Sequence, residues 1–147
     1  MAASYVEENA RELARLRELV AGLSDSDLAH PATDEWSVAD MLGHVAFWDA
    51  RASMLAEKLG RGTPFSEGDH EPEDVESMNA AVAVLIRQLP ARQVAALAVQ
   101  LAESTDALLA ALPAEKMWPE DQSSPLNAFR AHHRGEHLDQ IEAALNR

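Results

Sequence analysis

Apolar residues recur every three or four positions through most of the chain, the spacing of helices that bury one face. Leu13, Leu16, Leu19, Val20 and Leu23 form the first such stripe. Ser4, with Glu7 three residues on, has capping-box spacing for its start, and Gly22 with Ser24-Asp25-Ser26-Asp27 marks its stop. Ser37 caps a second helix, with Asp40 three residues on and Val38, Met41, Leu42, Val45, Trp48, Ala52, Leu55 and Leu59 inside. Gly60-Arg61-Gly62 ends that helix, and an acidic loop runs to Asp74. A third stretch carries Val75, Met78, Val82, Leu85, Ile86 and Leu89, is broken or kinked at Pro90, and resumes through Val94, Leu97, Leu101, Leu108 and Leu112. After a loop containing Trp118 and Pro119, Ser124-Pro125 reads as the cap and first position of the last helix. Four long helices joined by polar turns predict an all-α four-helix bundle, with residues 1–147 as a single domain.

Composition supports helices and narrows the chemistry. The chain is 47% hydrophobic but only 5% aromatic, so alanine and leucine, which lose little side-chain freedom in a helix, carry the apolar share. Its 25 acidic residues outnumber 12 basic ones, and a net charge of −13 repels phosphate backbones and anionic membrane surfaces. Nucleic acid and membrane are therefore not expected partners. With no cysteine, disulfides, thiolate metal sites and a cysteine nucleophile are excluded. No segment is expected to span a bilayer and the N-terminus does not read as a secretion signal, so a cytoplasmic location is expected.

The candidate chemistry lies in histidines. His133 and His137, four apart, point the same way on the last helix and share that face with Phe129, Gln140, Ile141 and Ala144. Two inward imidazoles one turn apart can chelate one ion; the spacing equally admits one core histidine and one surface histidine. His44, beside Met41, Trp48 and Leu55 at the edge of the second helix's stripe, offers a third donor and favours the metal reading. His133 to His137 spells H-x-x-E-H, the inverted zinc-peptidase pattern, but the acids that follow, Asp139 and Glu142, come too soon for that enzyme's downstream ligand. Glu136 is the candidate base on a metal-bound water, against a plain solvated glutamate, and Trp48 is the candidate cofactor-pocket residue. Asn79 and Asp139 are candidate partners behind the ligands. His30 reads as a turn residue, His70 as solvated, and His132 falls on another side of its helix.

Two segments together resemble the DinB-like superfamily. Glu35-Trp36-Ser37-Val38-Ala39-Asp40-Met41-Leu42-Gly43-His44-Val45-Ala46-Phe47-Trp48 is similar to the opening of its second helix. His133-Arg134-Gly135-Glu136-His137-Leu138-Asp139-Gln140-Ile141 is similar to its closing histidine motif, and residues 74–89, with Asn79, to its third-helix region. The resemblance implies an up-down-down-up bundle in which His44, His133 and His137 hold zinc, nickel or a similar divalent ion with open positions. Relatives in that superfamily include the mycothiol-dependent maleylpyruvate isomerase, whose N-terminal domain is of this kind, and the YfiT-like bacillithiol transferases. It thus implies a transferase that activates a low-molecular-weight thiol towards an electrophile, in a homodimer. A metal-dependent hydrolase and a non-catalytic metal-binding stress protein are the other readings.

Overall fold

The computed structural model describes residues 3–116 and 124–147. Six α-helices make up most of them: α1 (Ala3–Ala21), α2 (Asp25–Ala29), α3 (Val38–Gly60), α4 (Val75–Ile86), α5 (Ala91–Ala111) and α6 (Arg130–Ala144). No strand occurs among the described residues beyond a single bridge between Pro31 and Ser37. The predicted loop through Trp118 and Pro119 lies outside them, as does the side chain of Ser4, the expected first cap.

The helix starts follow local chemistry. Ser37 accepts from the Asp40 amide while Asp40 reaches back to the Ser37 amide, the reciprocal cap expected for the second helix. Ser24 and Asp27 make the same arrangement, so the stretch expected only to stop the first helix also starts the short α2. Leu28 anchors this turn, since it is fully buried in the core where α2 packs on α3 and α5.

α3 packs along α5, α1 packs on α5 and α6, and α6 returns against α3. Leu13, Leu16, Leu19 and Leu23 are buried as the first stripe predicts. Fully burying such a leucine stabilises the fold by about 1.5–3 kcal/mol. α5 departs from its predicted face. Its buried line is Val94, Ala95, Ala98, Ala102, Thr105 and Leu109, while Leu97, Leu101, Leu108 and Leu112 are only half-buried. Ala39 and Ala46 of α3 share one core cluster with Ala95, Ala98 and Ala102, and such small side chains let two helix backbones approach closely. α5 is also long and apolar enough to cross a membrane by length and composition, contrary to expectation. Here it packs against α3 and α1.

Pro90 separates α4 from α5 outright. α4 packs on α3, and its predicted apolar stripe is covered only in part: Leu85 is 69% exposed and Leu89 40%. The last helix starts later than predicted. Ser124-Pro125 does not open it; α6 begins at Arg130 with Phe129 at the cap. The intervening chain is held off the helix by Asn9, whose side chain donates to the Ala128 carbonyl and accepts from the Ala131 amide, both at 2.8 Å. Leu126 and Ala128 are thereby buried beside Tyr5, Leu55 and Leu109.

Candidate metal centre

The buried side of α6 is Arg130, Ala131, Arg134, Leu138 and Ile141. His133 and His137 flank this line and are half-buried, so the expected interior face is in fact a border. That border position opens His133 to a cavity. Arg134 occupies the centre because its charge is matched: its Nε donates to Asp49 Oδ2 at 2.8 Å and its terminal nitrogens to Asp106 at 2.7 and 2.9 Å. Asp49 of α3, wholly buried, gives its other oxygen to Arg130 Nε at 3.0 Å. The Thr105 hydroxyl donates to the Asp49 carbonyl, so α3, α5 and α6 are tied at one level.

This tie sets the height of α6 against α3 and brings His133 to His44. Their Nε2 atoms are 3.1 Å apart. One ligand atom from each of His44, His133 and His137 fits within a mutual separation of 4.8 Å. Nitrogens sharing one tetrahedral zinc lie about 3.3 Å apart, given Zn–N bonds near 2.0–2.1 Å. The 3.1 Å separation suits one shared proton or one shared cation. His137 Nδ1–H donates to Gln140 Oε1 at 2.7 Å, which leaves the Nε2 lone pair free. His133 Nδ1 is the one buried side-chain polar atom among the described residues without a hydrogen-bond partner. His133 itself borders the cavity.

The electrostatics suit neutral donors. Burial, reinforced by the neighbouring His137, lowers the His44 pKa to about 4. His133 is lowered to about 2, first by burial and then by the neighbouring His137 and the Arg130 guanidinium. Both imidazoles therefore present lone pairs at neutral pH, as metal ligands must. The donor set is three imidazoles with no thiolate, which fits zinc, nickel, copper or iron.

The cavity beside the histidines has a volume of about 330 Å³. Trp48, the expected pocket residue, lines it, and its indole N–H donates to Asn79 Oδ1 at 2.8 Å. Asn79 thus bonds to the cavity wall and not to a ligand ring. Asp139 does not stand behind the ligands either: Arg15 takes it at 2.6 Å. Gln140 fills that role for His137. Trp36 lies half-buried against the His44 ring, with centroids 4.9 Å apart. Glu136 is exposed and is not part of the cavity lining. His30 sits in its turn, bonded to the Pro31 carbonyl, His70 is exposed, and His132 faces Glu8.

Sequence reasoning missed Asp49, Arg130 and Arg134. A signal was present: each interrupts an otherwise apolar helical stripe, Asp49 between Val45 and Ala52, and the arginines in line with Leu138.

Fold and site together define a helical bundle with an imidazole cluster able to hold a metal ion. The model of the DinB superfamily matches residues 8–141, and the chain belongs to that superfamily. Neither a curated protein nor a solved structure gives a significant match to the chain.

Proposed function

We propose that this protein is a metal-dependent transferase that activates a low-molecular-weight thiol at His44, His133 and His137. The observation that carries the reading is the convergence of three imidazoles from two helices, two of which, His44 and His133, line an open cavity. A divalent cation held there supplies Lewis acidity that lowers the pKa of a thiol brought to it. Zinc and nickel are the candidate ions. The chain has no cysteine, so the thiol comes from a separate small molecule.

The protein's own groups have separate tasks in this reading. Burial keeps His44 and His133 neutral, and Gln140 fixes the His137 ring. Trp48, pinned by Asn79, forms the apolar wall against which an incoming molecule lies. Glu136 is assigned no step.

The test loads the protein with zinc or nickel and titrates mycothiol and bacillithiol calorimetrically. Metal-dependent binding of one of them is expected. Binding of neither would remove the thiol reading. Elemental analysis of His44→Ala tests the ligand set separately, and unchanged metal content would withdraw His44 from it.

A further inference from the structure

Arg130 and Arg134 sit one turn apart on α6 and share Asp49, yet they are used differently. Arg134 engages all three of its guanidinium nitrogens, with Asp49, Asp106 and the Ala102 carbonyl as acceptors. Arg130 engages only Nε; its two terminal nitrogens bond to none of the described residues. The side chain is only 9% exposed, and its terminal nitrogens, unlike His133 Nδ1, keep contact with solvent. Its remaining opening is the cavity that it lines together with His133 and His44.

The surroundings indicate what those nitrogens meet. A second guanidinium, Arg51, lines the same cavity and lies over the Trp48 ring at 5.5 Å, held by the Asp69 carbonyl. Asn79 and Asn127 add amides, and Val75 with Trp48 adds apolar wall. The lining contains a single carboxylate, Glu71, which is exposed. Two guanidiniums concentrated here stand out in a chain of charge −13. The free edge of a guanidinium is a planar pair of donors that matches the two oxygens of a carboxylate.

We propose that Arg130 is a carboxylate-binding fork beside the three imidazoles, so that the site takes a small molecule with an apolar body and a carboxylate. The assignment of that molecule as a reactant rests on the thiol-transfer reading; the anion subsite itself does not. The carboxylate belongs either to the electrophile or to the thiol, and Arg130 positions the one that bears it.

The test uses benzoate and its uncharged analogue benzamide, titrated by NMR into the metal-free full-length chain. Benzoate is expected to shift the Arg130 Nε–H and Asn127 side-chain signals to saturation, and benzamide to leave them still. Arg130→Gln is expected to weaken benzoate at least tenfold, as loss of a charge-assisted bond does. Arg130→Lys keeps the charge beside Asp49 but not the fork, and is expected to weaken benzoate several-fold. Wild-type affinity in both variants would overturn the proposal. Should neither variant fold, the wild-type shifts decide: benzoate that leaves the Arg130 and Asn127 signals unmoved overturns it. Inorganic phosphate binding more tightly than benzoate at the same signals would also overturn the carboxylate assignment. On zinc-loaded protein, N-acetylcysteine against N-acetylcysteinamide separates the sources. A preference for the acid that Arg130→Lys abolishes puts the carboxylate on the thiol, and equal binding puts it on the electrophile. No thiol binding at all would sink the transferase reading while leaving the benzoate result intact.

Discussion

The His137 imidazole and the Gln140 amide lie three residues apart on α6, and the ring's Nδ1–H donates to the amide oxygen at 2.7 Å. An acceptor at Nδ1 fixes the tautomer and aims the opposite nitrogen. Gln140→Ala is therefore predicted to lower zinc affinity about tenfold to a hundredfold, with the fold retained. Competition against a chromophoric chelator measures it. Equal affinity would mean that packing alone orients the ring.

Acid should weaken the metal-free protein before its carboxylates titrate. His44 and His133 have folded pKa values of about 4 and about 2, below the 6.5 of an unperturbed histidine. The unfolded chain therefore takes up protons first, and stability falls as pH drops below about 6.5. At most about 1.4 kcal/mol per pH unit is lost for each histidine, reduced where solvent screens the ring. Urea unfolding between pH 6.5 and 5 reads the slope, and His44→Gln should flatten it. A slope unchanged by that substitution contradicts the account.

Asp49 joins two arginines at the centre of the bundle. Asp49→Asn leaves buried guanidinium charge uncompensated, and a loss of about 3–5 kcal/mol is predicted. Asp106→Asn should cost less, because the Asp106 carboxylate is 13% exposed and water can replace it in part. Denaturant midpoints compare the two, and the reverse order would refute this ranking.

Gly43 of α3 lies against the Ile86 side chain of α4 with no room between them. A Cβ there would stand 2.4 Å from Ile86 Cδ1 and 2.6 Å from its Cγ2. Gly43→Ala should destabilise the protein by about 1–3 kcal/mol, and Ile86→Ala in the same chain should return part of the loss. Thermal denaturation of both single variants and the double variant gives the coupling. Purely additive effects would show that the two residues do not meet.

Three-residue and four-residue spacing revealed the helices that bury leucine, and capping chemistry located the start of α3 at Ser37. The same signals misjudged α5, because its inward residues are alanines and the larger leucines beside them dominate any hydrophobic pattern. They misjudged the start of α6, because Asn9, far away in sequence, holds the preceding segment in a non-helical path. At the site, helical spacing paired His133 with His137, and the family resemblance added weight to His44. Asp49 and Arg130 stayed hidden, since a charged residue reads as solvated until its partner on another helix is known.

α4 reaches the rest of the molecule chiefly through α3, and it supplies Val75 and Asn79 to one side of the cavity, whereas all three imidazoles come from α3 and α6. α4 thus shapes the cavity without supplying a donor. Under the proposed function, substitutions along α4 would reshape what the cavity admits while leaving the imidazoles of α3 and α6 in place.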